Sequence, residues 1–185
     1  MNITRTAITR SLLVAALAGA VPVATATTSA QAAPYCGITW GSLAKTKAPL
    51  QAGPVTGVRS GRHTCFDRLV IDLKGKAPGY TVRYVSQVTA DGSGAVIPTR
   101  GGAKLQLTVN APAYNPNGTS AFTPRNRSEV VNVTGYSTFR QVVWAGSFEG
   151  YTSMGVGVRA RLPFRVFTLN DGTTSRVVID VAHRW

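Results

Sequence analysis

The chain has 185 residues, with 20 Lys or Arg against seven Asp or Glu, which gives a formal net charge of +13. This length suits one ordinary domain, and a charge so strongly positive favours anionic partners. With two histidines in total and no acidic cluster at ligand spacing, we predict neither a metal site nor a cofactor.

The N-terminus has the features of a secretory signal peptide, 1–32. Arg5 and Arg10 precede a short apolar run, Ser11 to Val23. This run is too short to span a bilayer. Ala30-Gln31-Ala32 supplies the small-x-small pattern that signal peptidase cleaves. We therefore predict cleavage near Ala32 and an extracellular protein, secreted or wall-associated. No later stretch approaches the length of a membrane span, so we predict none.

Removal of the leader would leave 153 residues with a charge of +11, because two arginines lie in the leader. We divide this mature chain into an N-terminal segment, 33–60, and a β domain, 61–185. Cys36 and Cys65 are the two cysteines of the chain, and an oxidising compartment favours their pairing in one disulfide. The disulfide would tether the segment to the domain. Cys36 is not in a lipobox, so no lipid anchor is expected.

Runs of β-branched and aromatic residues between Gly, Pro, Asn and Asp clusters predict an all-β fold. The spacing indicates a β-sandwich, or a partly open barrel, of about eight short and mostly antiparallel strands. We predict strands at 66–73, 80–90, 94–99, 103–110, 138–145, 153–161, 163–169 and 175–182. Two segments rich in Pro, Gly and small polar residues, 45–61 and 111–137, are predicted to be surface connections.

A six-residue pattern occurs twice, as RLVIDL at 68–73 and RVVIDV at 176–181. If the two strands are antiparallel neighbours centred on Val70 and Val178, each arginine lies opposite the aspartate of the other strand. Such cross-strand pairs of opposite charge help to set the register. The alternate apolar residues of both strands would then face the core.

The clearest alternation runs from residue 156 to residue 167. Apolar residues occupy one face, and the opposite face carries Arg159, Arg161 and Arg165. Three neighbouring cations repel one another unless water or an anion screens them. The stripe is therefore either a solvated strand face or a ligand-binding surface.

We predict that this stripe, with the loop aromatics Tyr114 and Tyr151, binds an anionic wall polymer or a glycan. Aromatic faces stack on sugar rings as well as on nucleobases. No nucleic-acid-binding signature is present, and export argues against such a partner.

The candidate catalytic groups are few. His63, Cys65 and Asp67 could form a nucleophilic site, but Cys65 is expected in the disulfide. Among the carboxylates, Asp67 and Glu149 are left as a possible acid pair after those assigned to turns and to arginine partners are set aside. We therefore predict a protein without catalytic residues, and the alternative is a small cell-wall hydrolase that uses Asp67 or Glu149.

An ordered set of short motifs resembles the actinobacterial AMIN-like domain over about residues 61–183. The motifs are GRHTCFDRLV at 61–70, GYTVRYV at 79–85, DGSG at 91–94, GGAKL at 101–105, FEG at 148–150, LPFRVF at 162–167 and RVVIDV at 176–181. The resemblance implies a β-sandwich related to AMIN modules, which position envelope proteins at the cell wall. It supplies no catalytic residues.

Taken with the charge, the resemblance implies a non-enzymatic binding domain of the cell envelope. A third possibility is a protein-interaction module, whose protein partner would pair with an exposed sheet edge.

Overall fold

The structure, a computed structural model, describes residues 34–48 and 51–185, so the predicted signal peptide lies outside the described residues. The described residues form eleven strands and one 3-10 turn, Tyr35–Gly37. The strands are β1 (Lys45–Lys47), β2 (Val55–Arg62), β3 (Phe66–Lys74), β4 (Tyr80–Val85), β5 (Val88–Thr89), β6 (Val96–Ile97), β7 (Ala103–Val109), β8 (Phe139–Phe148), β9 (Tyr151–Val158), β10 (Phe164–Asn170) and β11 (Thr174–Ala182).

Two antiparallel sheets pack against each other, which confirms the predicted sandwich. The five-stranded sheet has the order β1-β4-β7-β9-β8, and the four-stranded sheet has the order β10-β11-β3-β2. Strands β5 and β6 form a separate hairpin. The core lies between the two sheets and is filled by alternate residues of their inner faces.

The repeated six-residue pattern pairs as predicted. Strands β3 and β11 are antiparallel neighbours in which Val70 lies opposite Val178. Asp180 lies opposite Arg68, and Asp72 lies opposite Arg176. The inward residues of both strands are all buried: Leu69, Ile71, Leu73, Val177, Ile179 and Val181. Burial of one face explains why this register is fixed, since a slip of one residue would turn every apolar side chain outward.

The prediction that 45–61 is a connection without strands is wrong. Strand β1 pairs with β4, and β2 pairs along β3 with a bulge between Val55 and Gly57. Gly57 and Gly61 lower the strand propensity of β2, and for this reason the sequence pattern did not predict the strand. Its pairing supplies the hydrogen-bond partners that one side of β3 requires. The single strand expected at 80–90 is divided between β4 and β5.

The hairpin β5–β6 lies over the outer face of the five-stranded sheet. Val88 packs with Val143 and Ala145 in a second apolar cluster. Gly155 is required beneath it, because a Cβ at that position would stand 2.6 Å from a Val88 methyl group. This sheet is therefore covered on both faces in the hairpin region, whereas the outer face of the four-stranded sheet carries charged side chains.

The segment 111–137 contains no strand, as predicted, but it contributes to the core. Ala111, Ala113 and Val133 are buried against the sandwich. An isolated bridge joins Tyr114 to Ser120. The segment is therefore a packed cover on one part of the core.

A disulfide joins Cys36 to Cys65, which confirms the predicted pairing. The tether is supported by the backbone of Gly41, whose carbonyl accepts a hydrogen bond of 2.9 Å from the Phe164 amide. The N-terminal segment is thus fixed to the residue before β3 and to the first residue of β10.

Replacing both cysteines by serine should lower the free energy of unfolding by about 3.5 kcal/mol, the chain-entropy value for a loop of this length. The bridge spans a sequence separation of 29 residues. Urea denaturation of the variant and of the oxidised protein measures the difference. A difference below about 1 kcal/mol would mean that the tether adds little to stability.

Candidate functional site

The outer face of the four-stranded sheet carries one arginine on each strand. These are Arg165 on β10, Arg176 on β11, Arg68 on β3 and Arg59 on β2, and we call this set the arginine face. Each of the four guanidinium side chains is at least partly exposed to solvent. The period-two alternation of the strands places them outward while their neighbours fill the core.

Asp180 holds two of these arginines and is itself fully buried. Its carboxylate accepts hydrogen bonds of 2.6 and 2.9 Å from Nε and Nη2 of Arg68. It accepts a third bond, of 2.8 Å, from Nε of Arg165. The bond to Asp180 raises the pKa of Arg68 above its ordinary value. Two cations therefore share one carboxylate, which leaves a net positive charge in a fixed position.

Asp72 has the same role at the other pair. It accepts bonds of 2.8 and 3.0 Å from Nε and Nη2 of Arg59. The Nε atom of Arg176 lies 3.6 Å from Oδ1 of Asp72, and its Nη2 atom lies 2.8 Å from Oδ2 of Asp171. The hydrogen bond to Asp72 raises the pKa of Arg59. Because Asp171 adds a second carboxylate here, this pair carries less surplus charge than Arg68 and Arg165.

Two of the guanidinium groups lie over the faces of aromatic rings. Arg165 lies over the rings of Trp40 and Phe167, at 5.6 and 5.1 Å. Arg68 lies over Phe66 at 5.1 Å. Cation–π contacts of this kind restrict the side chains and leave their unused N–H groups available. The cations are thus positioned before any ligand arrives.

A groove of about 320 Å³ lies beside these arginines. Its lining residues are Arg59, Ser60, Gly61, His63, Arg68, Val70, Leu169, Arg176 and Val178. Val70 and Val178, opposite each other in the sheet, are buried, and Leu169 provides the exposed apolar surface of the groove. The arrangement suits a ligand that combines anionic groups with apolar or ring surfaces.

The predicted strand face of Arg159, Arg161 and Arg165 is wrong. Strand β9 ends at Val158, and β10 begins at Phe164 in the other sheet. The alternation continues through the break because the chain passes from one sheet to the other around the same core. Only Arg165 belongs to the arginine face. Arg161 Nη2 donates to the carbonyl of Ser42 at 3.4 Å, and Arg159 Nη2 donates to the carbonyl of His183.

Tyr114 and Tyr151 lie on other elements. Tyr114 lines a cleft of about 450 Å³ that also includes Gln51, Pro112 and Glu149. Its hydroxyl accepts a 3.0 Å hydrogen bond from the Gly150 amide. Tyr151 is exposed at the start of β9 and does not line this cleft. The structure therefore does not bring the two tyrosines together with the arginine face, and their binding role remains a prediction.

The two candidate acids have different surroundings. Asp67 is fully buried, and its carboxylate accepts backbone hydrogen bonds of 2.5 and 3.0 Å from Thr138 and Phe139. His183 Nε2 lies 3.2 Å from the same carboxylate. Glu149 is exposed in the turn between β8 and β9, with a left-handed φ of 49°. Asp67 thus joins β3 to the start of β8 and to the residue after β11.

Cys65 is in the disulfide, so the Cys–His nucleophile considered from the sequence is not formed. Within 34–48 and 51–185, no three His, Cys, Asp or Glu side chains come together as metal ligands. Over the same residues, no helix has the length and apolar character needed to cross a bilayer.

Sequence reasoning missed Arg59, because its segment was assigned to a connection, and it missed the contact between Asp67 and His183. The alternation of Val58 with its neighbours was the available signal for Arg59. The second contact joins residues 116 positions apart and had no local signal.

Asp180→Asn should destabilise the fold by about 3 kcal/mol or more, because it leaves two partly buried guanidinium groups without their carboxylate. Asp171→Asn is the matched control. Its ion pair is half exposed, and its loss should cost less than about 1 kcal/mol. Urea denaturation measures both. Equal effects of the two substitutions would show that Asp180 does not hold the arginine face.

A family model described as the AMIN-like domain matches residues 53–183 of the chain. The match begins before the boundary at residue 61 that the motifs indicated, and it includes the whole of β2. No curated protein and no solved structure matches the chain.

Proposed function

Because the chain belongs to the AMIN-like domain family, we propose that it is a secreted, non-enzymatic domain that binds an anionic cell-wall polymer through the arginine face. The family suggests a cell-wall-associated binding module. The family and the disulfide together indicate an extracellular domain. The ligand, the surface that binds it and the absence of catalysis are the proposed parts.

The observation that carries the proposal is the placement of one arginine on every strand of one sheet face. Neighbouring strands are about 4.8 Å apart, so four adjacent strands spread these cations over roughly 14 Å. A polymer with repeated phosphate or carboxylate groups can contact several of them together. A small anion would contact only one or two.

The surplus charge supports the same ligand class. Arg165 uses Nε for Asp180, and in the described part of the chain neither of its Nη atoms has a hydrogen-bond partner. In the same described residues, Nη1 of Arg68 also has no hydrogen-bond partner, because only its Nε and Nη2 bind Asp180. Planar guanidinium groups with available N–H donors suit phosphate and carboxylate recognition. Because the ion pairs and the rings already fix these side chains, binding costs less conformational entropy.

The two acids give further support to a non-enzymatic role. The Asp67 carboxylate accepts two backbone hydrogen bonds and contacts His183 inside the protein, where a polymer has no access. Glu149 lies in an exposed turn at the other end of β8 from Phe139. A glycosidase requires two carboxylates facing one bond. We therefore favour binding over hydrolysis.

The double variant Arg165→Gln/Arg176→Gln should bind purified cell walls at least about fivefold more weakly than the unaltered protein, because two cations of the face are lost. Asp180 keeps Arg68 and Asp72 keeps Arg59 as partners in this variant. The control Arg83→Gln/Arg125→Gln removes the same charge from exposed positions outside the arginine face and should bind normally. Sedimentation with walls at fixed ionic strength measures the bound fraction.

Equal losses in both double variants would show that only net charge matters and would contradict a specific face. Mass spectrometry of the wall fragments after the same incubation tests the alternative. Unchanged fragment masses are expected, whereas new cleavage products would identify a hydrolase.

A further inference from the structure

Leu43 and Trp185 are the most exposed large apolar side chains of the described residues, at 77% and 68% of their maximum. Trp185 and the residue before Leu43 both contact Arg161. The carbonyl of Arg161 accepts the indole N–H of Trp185 at 3.2 Å. Its Nη2 donates to the carbonyl of Ser42, the residue before Leu43. Two remote parts of the chain, each with one exposed apolar side chain, thus meet at Arg161.

Four cations belong to the same region. Arg161 lies over the Tyr84 ring at 4.6 Å, and Arg159 donates to the carbonyl of His183. Lys45 lies over the Phe164 ring at 5.3 Å, and Arg184 lies over the Tyr35 ring at 4.7 Å.

None of these cations forms an ion pair with a carboxylate in the described part of the chain. The carboxylate that contacts His183 is that of Asp67, which is fully buried. The region therefore combines uncompensated positive charge with exposed apolar surface. We call the set Leu43, Lys45, Arg159, Arg161, Arg184 and Trp185 the end patch.

We propose that the end patch docks onto an anionic phospholipid surface. The cations would contact lipid phosphates, while Trp185 and Leu43 enter the boundary between headgroups and acyl chains. Tryptophan suits this boundary because its ring is apolar and its N–H is polar. Here the N–H is already bonded to Arg161, so the ring can leave water without an unpaired donor.

The exposed leucine favours a lipid over a hydrated polymer. An aliphatic side chain gains free energy by leaving water for an apolar medium, and a polyanion in water offers little such medium. The arginine face offers less apolar surface, because Val70 and Val178 are buried and Leu169, which lines its groove, is 41% exposed against 77% for Leu43. The end patch shares no residue with that face, so this inference does not depend on the wall-binding proposal.

Vesicle sedimentation tests the end patch. The unaltered protein should bind vesicles of equimolar phosphatidylcholine and phosphatidylglycerol, and not vesicles of phosphatidylcholine alone. Leu43→Ser/Trp185→Ser should reduce the affinity at least about tenfold, because both apolar anchors are lost. The control Val96→Ser/Phe148→Ser replaces two apolar side chains that are exposed outside the end patch and outside the groove of the arginine face, and it should bind as before.

A second readout separates insertion from simple charge attraction. Phospholipids brominated in their acyl chains quench a tryptophan that enters the bilayer, and Trp185→Phe should remove this quenching while vesicle binding persists. The inference is overturned if the protein binds neither vesicle, if both double variants lose affinity equally, or if no quenching occurs. It is also overturned if the anchor variant loses affinity for cell walls but keeps its affinity for vesicles, which would identify a polymer site.

Discussion

The buried carboxylate of Asp180 is the contact on which the outer surface of the four-stranded sheet depends. It lies on β11 and holds Arg68 and Arg165 from the strands on either side. One acid on β11 therefore orients a cation on each of the two neighbouring strands. Without these partners, the buried carboxylate would lower the free energy of unfolding. Without the carboxylate, the arginines would lose their fixed positions. The stability of this face and the proposed ligand recognition thus rely on the same group.

The two sheets differ in what covers them. The hairpin β5–β6 packs on the five-stranded sheet through Val88 and Val143, which gives that outer face an apolar contact of its own. The outer face of the four-stranded sheet instead carries ion pairs that are partly exposed to solvent. The proposed wall-binding face and the proposed lipid-binding patch use different residues.

The sequence predicted those features in which local alternation and partner charge agree. The register of β3 against β11 followed from the repeated RxxxD spacing, because a burial pattern and two opposite-charge pairs gave the same answer. The arginine stripe misled because alternation of buried residues continues through Leu162, where the chain changes sheets. Alternation reports which side chains face a core, and it does not report whether one strand carries them all.

Other features had no local signal. Strand β2 contains glycines and depends on pairing with β3, so propensity alone did not identify it. The contact of His183 with Asp67 and the position of Arg161 between Ser42 and Trp185 come from the tertiary fold. Such contacts join distant residues whose sequence neighbourhoods carry no shared pattern. The sheet architecture was therefore predictable, while the composition of each surface was not.

The most direct test of the central claim is to follow the side-chain Nε–H signals of the arginines by NMR as a soluble, phosphate-bearing wall-polymer fragment is added. We expect the signals of Arg59, Arg68, Arg165 and Arg176 to shift together and with one saturation curve. Shifts confined to Arg83 and Arg125, or spread evenly over all arginines, would contradict recognition by this sheet face.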